Sequence, residues 1–142
     1  MEAAAKTVIT VQNTINATVS KVWAYWTKPE HITKWNNASD DWHTPWASND
    51  LKVGGTFVSR MEAKDGSFGF DFGGTYDDVK ENEYIEYSIM GDARKVKVYF
   101  TADGNSTKVV INFEAERENS EELQRGGWLA ILDNFKKYTE SN

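Results

Sequence analysis

Residues 16–35 read NATVSKVWAYWTKPEHITKW. Val19, Val22, Trp23 and Trp26 recur at three and four residues, the spacing of a short amphipathic helix, and Thr18 stands where a cap for its first turn belongs. Thr27 then opens TKPE, a capping-box pattern with Glu30 three residues on and Pro29 in the first turn. A second short helix should run to about Trp35, with Ile32 and Trp35 turned inward. Two helices joined this tightly form an elbow, because the proline fixes how the second one enters.

Everything around the elbow has period two or ends the chain. Upstream, KTVITVQNTI (6–15) puts Ile9, Val11 and Ile15 on one face of a β-branched strand. Downstream, LKVGGTFVSRMEA (51–63) reads as a strand and KDGS as a hairpin turn. FGFDFGGTYDDV (68–79) returns with Phe68, Phe70 and Phe72 on one face, and Gly73-Gly74 suggests a bulge that would leave the facing beyond it open. EYIEYSIM, KVKVYF and STKVVINFEA follow across the short turns EN, GDAR and DGN, and Val109, Ile111 and Phe113 share a face of the last. Five strands in a meander, joined by the first as a sixth, precede a terminal helix.

In that helix Asn119 and Glu122 match a capping box, and Leu123, Gly127, Ile131, Phe135 and Tyr138 form a stripe. Lys136 and Lys137 suit its dipole. Gly126-Gly127 costs about 1 kcal/mol per glycine against alanine, which calls for close approach to the sheet or to a ligand. The expected fold is α+β: a six-stranded curved antiparallel sheet around a long C-terminal helix, with two short helices after the first strand closing one edge. A curved sheet gripping one helix tends to leave a space between them.

The 142 residues are expected to form one domain, with the opening MEAAAK a frayed or tag-like piece carrying Glu2 and Lys6 at i,i+4. A chain of this length buries roughly 70% of its unfolded surface, so its lack of cysteine is no handicap. No long apolar run opens it, so neither a signal peptide nor a membrane span is expected, and the cytoplasm is the default location. Sixteen basic against 22 acidic residues give a formal charge of −6, which repels phosphate backbones and disfavours nucleic acid as a partner. Six Trp, six Tyr and seven Phe demand either a bulky core or an internal surface to line.

SDDWHTPWASND (39–50) places Trp42 and Trp46 at i,i+4 in what reads as a loop. With a helical turn there, both rings would share a side and roof a hollow; otherwise they fill the gap between elbow and sheet. Asp40, Asp41 and His43 could form an acid–base set, or simply a polar loop. His31 falls on the solvent side of its short helix, and no zinc site or other cofactor site can be assembled. Arg94 begins RKVKVYF in register with Val96, Val98 and Phe100, so it could anchor a carboxylate or phenolate from inside. It could equally sit exposed, paired with Asp92 or Glu86. Arg60 falls opposite Phe57 and Met61, on the surface, and Trp128 borders either the space under the helix or the short helices.

INATVSKVWAYWTKPEHITKWN (15–36), DLKVGGTF (50–57) and GGWLAILDNFKKYTE (126–140) together resemble the START-like (SRPBCC) helix-grip superfamily. Within it the chain is similar to the branch named for activators of the heat-shock-protein-90 ATPase, near the polyketide-cyclase-like proteins, from Thr7 to about Tyr138. The resemblance implies a hydrophobic cavity between helix and sheet, entered beside the short helices near WHTPW, and it carries no catalytic motif to transfer. The candidates for the cavity wall are Trp26, Trp35, Trp42, His43, Trp46, Phe57, Met61, Phe70, Tyr76, Tyr87, Arg94, Trp128 and Leu132. The function expected is binding of a small apolar or amphipathic ligand. The rivals are a co-chaperone-like module acting on a heat-shock ATPase, and a cyclase-type enzyme using Arg94, Tyr76 and Tyr87. Monomer and dimer both stay open.

Overall fold

The computed structural model describes residues 7–91 and 93–142. The expected Glu2–Lys6 pair and the Asp92 partner considered for Arg94 lie outside these. The elements are β1 (Val8–Ile15), α1 (Val19–Thr27), α2 (Pro29–Trp35), β2 (Trp42–His43), β3 (Ala47–Asn49), β4 (Thr56–Ala63), β5 (Gly69–Lys80), β6 (Tyr84–Ile89), β7 (Lys95–Asp103), β8 (Ser106–Glu114) and α3 (Glu121–Ser141). One antiparallel sheet runs β1-β8-β7-β6-β5-β4-β2, with β3 also paired to β4. It curves around α3 in the helix-grip arrangement.

The sheet has eight strands where the sequence suggests six. The extra two, β2 and β3, come from the segment read as a loop, and they cover the outer edge of β4, which would otherwise present unpaired amides. At two and three residues they are too short for a period of two to register.

The elbow forms as the spacing predicts, with altered caps. Thr18 accepts a hydrogen bond from the Lys21 amide at 3.4 Å. The Thr27 hydroxyl, however, donates back to the Trp23 carbonyl at 2.8 Å and caps nothing, so the start of α2 is set by Pro29 at its first position. Ring contacts hold the elbow on the helix: Trp26 stacks on Trp35 at 4.8 Å, and both meet Phe135 edge-on at 4.9 and 5.0 Å. The Trp35 indole N–H donates to the Tyr25 carbonyl. His31 is not on a solvent side, because its ring stacks on Tyr25 at 3.9 Å and its Nδ1 pairs with the Tyr138 hydroxyl at 2.7 Å.

α3 starts one residue later than the capping box implies. Ser120 accepts from the Leu123 amide, while Asn119 bonds Glu116. The inward stripe shifts with it: Gln124, Leu132, Phe135 and Thr139 are buried and Leu123 is 62% exposed. Gln124 takes the place expected for Leu123 because its amide bridges the Glu116 N–H, the Glu116 carbonyl and the Asn119 carbonyl. A buried amide with three partners is satisfied.

The bulge also moves. Facing alternates straight through Gly73-Gly74, leaving Phe72 and Tyr76 on the concave face, and the register shifts between Tyr76 and Asp78. The glycines are there for close approach. A Cβ on Gly73 would lie 2.3 Å from the Phe57 carbonyl oxygen, and one on Gly74 would lie 2.3 Å from the Ser88 carbonyl oxygen and 3.2 Å from the Phe57 ring. Gly126 and Gly127 show no such need, since a Cβ at either meets nothing within 4 Å. Among the described residues no helix is long and apolar enough to cross a membrane.

These two glycine pairs give opposite expectations. Gly74→Ala should cost about 1–3 kcal/mol by overpacking, whereas Gly126→Ala should stabilise by up to about 1 kcal/mol. Urea midpoints at unchanged slope measure both. A neutral Gly74→Ala would contradict the close strand approach.

Candidate functional site

α3 lies toward one side of the sheet. Its Asp133 carboxylate accepts from the Asn13 side chain at 2.7 Å, and the Lys136 ammonium donates to the Thr14 carbonyl at 2.6 Å, tying the helix to β1. Its tightly packed neighbours are β1 and the two short helices. The strands farther along the curve, β4 to β6, are left with a cavity of about 240 Å³ over their concave face. An apolar cavity of about 150 Å³ already admits benzene.

The wall follows from strand parity. Phe57, Ser59 and Met61 alternate inward along β4, Phe70, Phe72 and Tyr76 along β5, and Ile85 and Tyr87 along β6. Val98 and Ile111 form the floor toward the packed core, Trp26, Ile32, Trp35 and Asn36 close the elbow end, and Ser48 and Asn49 come from β3. Trp128 and Ile131 cover it from α3. The Trp128 indole is pinned against Phe113 in a 4.2 Å stack and touches Phe72 only edge-on at 6.2 Å, so it borders the space without filling it. Phe57 lies over Gly74 and meets Tyr87 edge-on at 4.8 Å and Tyr76 at 5.2 Å.

Among the described residues the wall carries no charged side chain. Its polar groups are few. The Tyr76 hydroxyl donates to Asn49 Oδ1 at 2.5 Å, and Asn49 Nδ2 donates to the Thr27 carbonyl at 2.6 Å, linking β5, β3 and the end of α1. Burial pushes both the Tyr76 and Tyr87 phenols well above their ordinary range, so both stay protonated at neutral pH.

Of the wall candidates, Trp26, Trp35, Phe57, Met61, Phe70, Tyr76, Tyr87 and Trp128 meet around the cavity. Five stand elsewhere. Leu132 is fully buried in the packed core, and its neighbour Ile131 faces the space instead. Arg94 donates to the Glu114 carbonyl at 3.2 Å, at the far ends of their strands. Trp42 and Trp46 do not share a side, because β2 pairs in register Trp42↔Ala63 and β3 in register Ala47↔Ser59, a slip of one residue across Thr44-Pro45. Trp42 therefore stays on the concave face but beyond the cavity, against Phe68 and Phe70 at 6.1 Å each. Trp46 falls opposite Arg60 on the outer face and is 48% exposed. His43 faces outward beside Glu62, 3.7 Å away, and Asp41 bonds Ser39, so no acid–base set assembles there. Arg60 is on the outer face, as parity predicts, bonded to Glu62 and Asp71.

The wall residues outside the expected set differ in how visible they were. Ser59 and Phe72 lie in parity with residues already chosen, and Ile85, Val98 and Ile111 alternate inward as strand residues do. Asn49 carried no signal, since its role depends on β3 meeting β4. Among the described residues, no group of three His, Cys, Asp or Glu is placed to hold a metal.

Comparison with known proteins agrees with this architecture. An AHSA1-like protein from Aeromonas hydrophila, solved in solution, is 41% identical with a TM-score of 0.89, covering 95% of this chain and 93% of that one. A protein from Cytophaga hutchinsonii, also solved in solution, is 57% identical with a TM-score of 0.81, covering 94% and 92%. A crystal structure from Nitrosomonas europaea has a TM-score of 0.82 at 16% identity over 98% and 97%, a likeness of fold alone. A search of curated proteins finds no match. The model of the family described as Activator of Hsp90 ATPase homolog 1-like protein matches residues 16–140, and the chain belongs to that family.

Proposed function

We propose that this protein binds a small apolar molecule in the chamber between the sheet and α3, as one domain working in the cytoplasm. The family fits either a ligand-binding or a co-chaperone-like role, and the observation that favours the first is the chamber. It is walled by rings and aliphatic side chains, holds about 240 Å³, and borders three indoles, Trp26, Trp35 and Trp128. A pure interaction module would have no use for such a void, since unfilled apolar volume lowers stability by about 24 cal/mol per Å³.

A second reading has its own observation. Trp42, Phe68 and Phe70 form an aromatic cluster past the end of the chamber, with Phe68 61% exposed, and such a surface suits a protein partner such as a chaperone. Phe70 belongs to both the cluster and the wall, so the cluster is equally a rim. An enzymatic reading finds less support, because among the described residues the wall has no His, Asp or Glu and both its buried phenols are pushed well above their ordinary range.

Neutral one- and two-ring aromatic compounds should raise the melting temperature and quench tryptophan fluorescence. A ligand at 100 times its Kd contributes about 2.7 kcal/mol. Ser59→Leu, which places apolar bulk in the chamber, should keep or raise stability and abolish the ligand-induced shift. Trp42→Ala should leave that shift in place. Binding that survives Ser59→Leu but is lost with Trp42→Ala would move the site to the outer cluster.

A further inference from the structure

Gly126 and Gly127 each weaken α3, and packing against the sheet does not account for them, because a Cβ at either position meets nothing within 4 Å. Their surroundings differ. Gly126 is exposed and Gly127 is half-buried. Helix residues three and four apart share a face, so one flank of α3 reads Asn134, Ile131, Gly127, Leu123, while Asp133 and Lys136 tie the other flank to β1. Asn134 seals the first flank against the elbow, donating to the Trp35 carbonyl at 2.8 Å and to Asn37 Oδ1 at 3.1 Å. Ile131 covers the chamber. One turn farther on, Gly127 leaves a notch, and Leu123 beyond it is exposed. On the sheet side, Trp128 reaches Phe72 only edge-on at 6.2 Å, and Phe70, although it lines the chamber, is 42% exposed. A wall ring that exposed marks a side on which the chamber opens to solvent.

We propose that Gly127 is the entrance residue of the chamber: its missing side chain keeps the slot between α3 and β5 wide enough for a ring-sized apolar molecule to pass. This rests on the chamber being a binding site. A helix advances about 5.4 Å per turn, so a side chain at position 127 would extend the cover that Ile131 provides and narrow the slot. Leucine is the suitable plug, since it is apolar, favours helix, and would start from a Cβ that touches nothing. Gly126, one residue away on the exposed side of the same helix, is the matched control.

The test compares the whole chain with its Gly127→Leu and Gly126→Leu variants, using ethylbenzene as the probe and NMR exchange measurements for its association and dissociation rates. An obstructed entrance slows entry and exit together and leaves the equilibrium alone. Gly127→Leu should therefore slow both rates about tenfold while the Kd stays within about twofold, and Gly126→Leu should change neither. Urea midpoints of both variants should match or exceed that of the unmodified protein. If ethylbenzene binds and Gly127→Leu exchanges it as fast as the unmodified protein does, the entrance lies elsewhere and the chamber stands. Equal slowing in both variants would assign the effect to a stiffer helix, and a weaker Kd at an unchanged association rate would make position 127 part of the wall; either overturns the entrance. A midpoint for Gly127→Leu well below that of the unmodified protein would show the notch to be filled, with the same consequence. If the unmodified protein binds no ethylbenzene, both readings fall together.

Discussion

One helix is too narrow for this sheet. A helix with its side chains is about 10–12 Å wide, and strands lie about 4.8 Å apart, so the seven-strand path from β1 to β2 spans about 29 Å if laid flat. α3 can cover only part of that width. The bonds from Asn13 to Asp133 and from Lys136 to Thr14 decide which part, seating it near β1. Everything else about the concave face is a response to what remains uncovered.

The response has two parts. Curvature brings β4 and β5 over toward the helix, which requires the neighbouring backbones to close in on Gly73 and Gly74. The elbow then closes one end with large rings, through the Trp26, Trp35 and Phe135 contacts. Rings fill gaps coarsely, because each is rigid and fixed by its own partners. Trp128 committed to Phe113 cannot also fill the space above β5. Phe57 held over Gly74 stands as a wall instead of collapsing inward. The hollow is what remains when rigid side chains meet a curved surface.

How much of this the sequence shows depends on how local each feature is. Helix and strand periodicities are local, so the elbow, the meander and the terminal helix are all legible, and strand parity places Phe57 and Met61 together on one face of β4. Features set by register between distant segments are not. The one-residue slip that separates Trp42 from Trp46 exists only because β2 and β3 pair differently with β4. The bulge at Tyr76 and Asp78 depends on β6. Arg94 has the right parity for the wall, but distance along its strand places it with Glu114. Parity gives the face and says nothing of how far along it the cavity extends.

The central claim is that the space among Phe57, Tyr87, Ile131 and Trp128 is empty and apolar in the unliganded protein. Diffraction from crystals of the free protein under xenon pressure tests that most directly, since xenon enters dry apolar cavities and leaves packed cores alone. The account predicts xenon density bounded by these four side chains. Their closure onto one another, with no xenon between them, would contradict it.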